Sequence, residues 1–104
     1  WAPFLFWRLD EHREWREEWE GKDLTLKPSE YFKRQCYLSI ECDEEPAQYT
    51  VAALGEGNIV FSTDYPHADS KYPESVKRFF DLPLSESAQE KIMWDNCAKL
   101  YNLS

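Results

Sequence analysis

Glycine, methionine and histidine are scarce: the 104 residues include three Gly, one Met and two His. With so little glycine and only six Pro, the chain is neither collagen-like nor of low complexity. Its three cysteines, Cys36, Cys42 and Cys97, are odd in number and widely scattered. They suit neither a disulfide framework nor a zinc knuckle, and read as free, buried or half-buried thiols of a cytoplasmic protein. No apolar run approaches the roughly 20 residues that span a bilayer, and the apolar start lacks the flanking charges of a secretory signal. A membrane partner is therefore not expected. Basic residues are outnumbered 20 to 12, and a net charge of −8 repels phosphate backbones, which argues against a nucleic-acid partner.

What is present in quantity is aromatic and acidic. Aromatics make up 16% of the residues, five of them Trp, which is ample for the core of one small domain over residues 1–104. The chain opens on Trp1-Ala2-Pro3-Phe4-Leu5-Phe6-Trp7 without an initiating Met, and this apolar start reads as a cut end of something larger.

A first helix is expected from about Pro3 to Glu20, stopped by Gly21, with Arg13–Glu17 and Arg16–Glu20 spaced to pair along one face. The run Asp10-Glu11-His12-Arg13-Glu14 reads as solvated surface. Trp15 and Trp19, four apart, are expected to cover neighbouring structure. Pro28, well tolerated at a helix start, opens a short second helix to Lys33. Cys36–Glu41 is rich in strand formers. Acids before Pro46 introduce a helix in which Ala47, Val51 and Leu54 recur at helical spacing, ended by Gly55. Ile59-Val60-Phe61 then forms a continuous apolar run, as expected of a strand buried on both faces. A helix from about Pro73 has Val76, Phe79 and Phe80 as its apolar stripe. The last helix starts near Ser85 or Ser87, where Ser87-Ala88-Gln89-Glu90 has the capping-box pattern. Ile92, Met93, Cys97, Leu100 and Tyr101 line its inner face. Asn96 is expected to fix that helix rather than touch substrate.

The resulting order, helix–helix–strand–helix–strand–helix–helix, predicts an α/β chain with a parallel, helix-crossed strand pair. Two strands do not make a complete sheet, and a closed (β/α)8 barrel takes about 250 residues, so the expected architecture is the last quarter or so of a TIM barrel.

The chemistry concentrates in Phe61-Ser62-Thr63-Asp64-Tyr65-Pro66-His67. An acid at the C-terminal end of a buried strand, followed by a proline turn and a His, lies where α/β folds bind ligands. An Asp there can ligate a divalent metal or accept a proton; the same residue types also make ordinary turns.

Thr63-Asp64-Tyr65-Pro66-His67 resembles the Ser/Thr-Asp-Tyr-Pro-His signature of the amidohydrolase-related family, which includes aminocarboxymuconate-semialdehyde decarboxylase. Three further blocks agree in order: Trp1-Ala2-Pro3-Phe4 with Trp7-Arg8-Leu9-Asp10-Glu11-His12, then Lys27-Pro28-Ser29-Glu30-Tyr31-Phe32, then the closing Lys91–Tyr101 helix. The resemblance implies a metal-dependent hydrolase or non-oxidative decarboxylase of a small carboxylated or carbonyl substrate, with zinc or manganese as cofactor. It implies Asp64 as metal ligand and catalytic group, Arg8 as a binder of the substrate carboxylate, in some members across a homodimer interface, and His67 at the border of the site. The plain alternative for Arg8 is pairing with Asp10 or Glu11. The His-x-His pair and the other histidine ligands of the family have no counterpart in this chain, so these residues alone are expected to be inactive. The rival readings are a small acidic binding module without catalysis, or a family scaffold that has lost its metal.

Overall fold

Pro28 sets the first helical φ of a helix without losing a needed donor, and the Glu30 carboxylate reaches back to accept from the Lys27 N–H at 2.8 Å. This helix, α2 (Pro28–Gln35), runs two residues past the expected Lys33. It packs on α1 (Ala2–Arg16) within the first of two compact units, Trp1–Tyr37; the second is Leu38–Ser104. The computed structural model describes residues 1–16 and 24–103, so the expected end of α1 at Gly21, its partners Glu17 and Glu20, and Trp19 lie outside the described residues.

In the first unit Phe6 and Phe32 stack with ring centroids 4.6 Å apart, and Ala2 and Phe32 are buried. The charge run is less idle than its composition suggests. Asp10 accepts from both the backbone N–H (3.0 Å) and the hydroxyl of Ser29, Arg13 donates to the Leu24 carbonyl at 2.8 Å, and Glu14 pairs with Lys27. Trp15, expected to cover neighbouring structure, is 76% exposed.

The second unit carries the sheet. Strands β1 (Leu38–Glu41) and β2 (Ile59–Ser62) pair in parallel, Leu38 opposite Ile59 and Glu41 opposite Ser62, with α3 (Ala47–Leu54) in the crossover. Gly55 ends α3 at φ 84°, a left-handed conformation that favours glycine. Ile40, Cys42, Ala47, Ile59, Phe79, Leu82, Ala88 and Ile92 form the core. Of β2, only Ile59 is fully buried; Val60, Phe61 and Ser62 are half-buried, so the expected two-sided burial is not met within this unit.

Further expectations are corrected or narrowed. Helix α4 (Ser75–Phe80) turns Ser75 and Phe79 inward and leaves Val76 and Phe80 exposed, because so short a helix offers little more than one inward line. Of the two expected starts of the last helix, Ser85 is the cap, its hydroxyl accepting from the Ala88 N–H at 3.1 Å, while Ser87 sits inside the helix and does not cap it. The inner line of α5 (Glu86–Glu90) and its continuation is Ala88, Ile92 and Asn96; Leu100 and Tyr101 are exposed. Between α5 and α6 (Asn96–Tyr101), residues Lys91–Asp95 form a π-helical turn, with the Asn96 N–H bonded to the Lys91 carbonyl five residues back. Cys36 is exposed, contrary to expectation; Cys42 is buried and Cys97 half-buried, and all three are free. Among the described residues, no helix is long and apolar enough to cross a membrane.

The unit has two differently furnished ends. At the N-terminal end of β2 the buried Asn96 amide donates to the carbonyls of Glu56 and Ile59, both at 2.7 Å. The Glu56 carboxylate accepts from Ser87 (2.9 Å) and pairs with Lys91, and these donors, Lys91 foremost, hold its pKa below the ordinary carboxylate value. At the other end both strands deliver their C-termini, Cys42-Asp43 and Thr63-Asp64, side by side.

Candidate active site

Parallel register brings Asp64 to the C-terminal end of the sheet, the end at which α/β folds assemble their sites. Its backbone lies at φ 54°, in the left-handed region; Asp tolerates that better than most residues because its short polar side chain bonds locally. The Thr63–Asp64 peptide is held at both polar atoms. The Asp64 N–H donates to the Ser62 hydroxyl at 3.2 Å, and the Thr63 carbonyl accepts from the Ser70 hydroxyl at 2.7 Å. Ser70 in turn accepts from the Tyr72 N–H at 3.3 Å, which orients its own proton toward Thr63. The chain between is a compact loop: the His67 N–H donates to the Asp64 carbonyl and the Ser70 N–H to the His67 carbonyl, at 3.0 and 3.1 Å. The Tyr65–Pro66 and Tyr72–Pro73 peptides are both cis, and the rings of Tyr65 and Tyr72 lie 4.8 Å apart. Asp43 faces Lys71 of this loop at 3.9 Å and Arg78 of α4 at 3.7 Å, weak contacts for such exposed groups.

Asp64 and His67 meet, with Nδ1 of the imidazole 2.9 Å from Oδ2 of the carboxylate. That hydrogen bond first, and the carboxylate charge second, raise the His67 pKa above its ordinary 6.5. The ion-paired imidazolium therefore contributes fully below the unfolded-state value, and its contribution is lost as pH rises through the raised one. In a metal-free Asp64→Asn variant His67 is expected to titrate at a lower pH than in the wild type in an NMR pH series. An unchanged midpoint would mean that another group raises it.

Arg8 lies in the first unit, exposed on α1. The expected alternative pairing is not formed: among the described residues Arg8 has no ion-pair partner, and Asp10 is committed to Ser29. As metal donors, the residues present go part of the way. Asp64 offers a hard oxygen ligand, but among the described residues no three His, Cys, Asp or Glu side chains are placed to hold an ion. Ser62 was read from the sequence only as a turn residue, and Ser70 was passed over. Ser62 does have a signal, since a hydroxyl two residues before Asp64 can take its N–H; Ser70, seven residues beyond Thr63, has none.

The family model described as amidohydrolase matches residues 6–103. The chain belongs to the amidohydrolase family. The resemblance read from the sequence motifs and the fold thus agree on this membership. Two solved amidohydrolase-family neighbours are similar over nearly all of the chain. One is 5-carboxyvanillate decarboxylase LigW from Sphingomonas paucimobilis, 28% identical with a TM-score of 0.79, covering 98% of this chain and 31% of its own. The other is a dihydroxybenzoic acid decarboxylase from Polaromonas sp. JS666, solved with bound manganese and the inhibitor 2-nitroresorcinol, 26% identical with a TM-score of 0.75, covering 97% of this chain and 30% of its own. The chain thus spans about three-tenths of the length of these structures. No curated protein sequence matches it.

Proposed function

We propose that the chain is the C-terminal part of a (β/α)8-barrel amidohydrolase that removes carbon dioxide from a small hydroxylated aromatic acid, using a divalent metal. The observation that carries this reading is Asp64, presented at the C-terminal end of β2 in a left-handed turn and fixed on both sides. The likeness of almost the entire chain to two decarboxylases supports decarboxylation over hydrolysis.

Asp64 would hold the metal together with ligands from the rest of the protein, since a catalytic ion takes about three protein ligands. Manganese is favoured by the manganese-bearing neighbour, with zinc the alternative. When bound, the metal would polarise the substrate's carboxylate or neighbouring oxygen. The chain's own residues do the rest. Asp64 would take the proton of the substrate's ring hydroxyl and deliver it to the ring carbon as the carbon–carbon bond breaks, the electron pair of that bond staying on the carbon and carbon dioxide leaving. His67 holds Oδ2 of Asp64 by its 2.9 Å contact and so limits which lone pairs face the site. Arg8, exposed and without an ion-pair partner among the described residues, carries the fork of donors that suits a substrate carboxylate, and a homodimer is the proposed assembly of the full-length protein. The partner is a small molecule, and the expected location is cytoplasmic.

The test is to give the full-length protein manganese and a dihydroxybenzoic acid or 5-carboxyvanillate, and to follow carbon dioxide release and the change in ultraviolet absorption. Turnover supports the reading. A folded, metal-loaded protein that hydrolyses amide or lactone substrates and leaves the aromatic acids intact would replace decarboxylation by hydrolysis. A folded protein that takes up no metal would leave a family scaffold without this chemistry.

A further inference from the structure

We propose that Ser62 and Ser70 are positioning residues that hold Asp64 in its left-handed conformation and so aim its carboxylate; the proposal rests on Asp64 being the metal ligand. The rotation φ of residue 64 is set by the plane of the peptide that precedes it. Turning that plane over changes ψ of Thr63 and φ of Asp64 together while the path of the chain hardly moves, which is how turns of neighbouring types interconvert. It is the easy route out of a left-handed φ that a non-glycine residue disfavours. In this protein the plane is tied on both edges. The Ser62 hydroxyl takes the Asp64 N–H on one edge, and the Ser70 hydroxyl gives its proton to the Thr63 carbonyl on the other. Overturning the peptide breaks both bonds at once.

The two ties are independent in origin. Ser62 is the last residue of β2, and its position is fixed by the pairing of Ser62 with Glu41. Ser70 reaches back from the far side of the loop, and its proton direction is dictated by the Tyr72 N–H. The sheet and the loop therefore converge on one peptide, the one immediately before the proposed ligand. With the peptide free to turn, the Asp64 side chain leaves from a different direction and the carboxylate no longer meets a metal held by the other ligands. Groups that orient metal ligands in this way are worth about 10- to 100-fold in metal affinity or activity.

The experiment compares Ser70→Ala, Ser70→Thr, Ser62→Ala and Asp64→Asn in the full-length protein. Manganese affinity is measured by competition with a fluorescent chelator, and folding is followed by urea titration. Ser70→Ala is expected to weaken manganese binding about tenfold or more, Ser70→Thr to restore it, and Ser70→Ala added to Asp64→Asn to cost nothing further. A merely structural serine would shift the urea midpoint and leave the folded protein's metal affinity intact. If Asp64→Asn binds manganese as the wild type does, Asp64 is not the ligand and this proposal falls with that reading. If Asp64→Asn loses the metal while Ser70→Ala and Ser62→Ala keep it, the reading of Asp64 stands and the positioning role is overturned. Ser62→Ala, which leaves the Ser70 tie in place, decides the matter should Ser70→Ala fail to fold.

Discussion

Asp64→Asn in the full-length protein is expected to lose most of its metal and at least about a thousandfold in activity, the equivalent of roughly 4 kcal/mol of transition-state stabilisation. Asparagine is the informative replacement. It matches the size of aspartate, tolerates a φ of 54° nearly as well, and still offers His67 an oxygen. What it removes is the negative oxygen that a divalent cation requires. Alanine would remove that oxygen too, but it would add a conformational cost of about 1 kcal/mol at a left-handed position and mix stability with chemistry. The checks are elemental analysis of the purified variant beside the wild type, and turnover at saturating substrate. Full metal content with full turnover would take Asp64 out of the site.

The largest expected effect on stability lies at the opposite end of β2. Asn96→Ala should lower the unfolding free energy of the full-length protein by about 3 kcal/mol, because two hydrogen bonds vanish and two carbonyls lose their donor in a buried place. Asn96→Asp should be worse still. It keeps the shape but turns an anionic oxygen toward the carbonyls of Glu56 and Ile59, which have no proton to give. Urea unfolding of the two variants beside the wild type tests this. A midpoint in Asn96→Asp equal to that of Asn96→Ala would mean that the side chain swings out to water. Turnover of the folded Asn96→Ala protein should stay near normal, since this residue sits at the end of the strand remote from Asp64.

The contrast between these two residues also marks how far the sequence could be read. Asp64 and His67 stand in a contiguous motif after an apolar run; local order marked the segment as a turn at a strand end, and the family-like motif singled them out. The starts and stops of α2 and α3 were legible for the same reason, since Pro28 and Gly55 act on their own backbone. Asn96 could be placed on the last helix, but its partners Glu56 and Ile59 lie 40 and 37 residues away and follow only from the packed structure. The same holds for Asp10 and Ser29, 19 residues apart, and for Ser70. Burial within α4 was misjudged because Val76, Phe79 and Phe80 are equally apolar, and which of them faces inward is set by the sheet beneath rather than by the helix. Arg8 was singled out only by its place in the family-like block Trp7–His12, because an uncommitted guanidinium and one engaged on a helix surface look the same in a sequence.

The π-helical turn at Lys91–Asp95 has a consequence for how this part of the chain tolerates change. Along a regular α-helix, positions four apart drift by about 40° around the axis, so Ala88, Ile92 and Asn96 would fan out to one side. The wider π turn lags where the α-helix leads, and returns Asn96 to the line of Ala88 and Ile92. Deleting one residue from this stretch would close the wide turn into an ordinary α-helical one, with Asn96 four residues after Lys91 and still on the line of Ala88 and Ile92. Residues 91–95 therefore tolerate the loss of one residue far better than the gain of one, which would swing Asn96 about 100° away from the two carbonyls it holds.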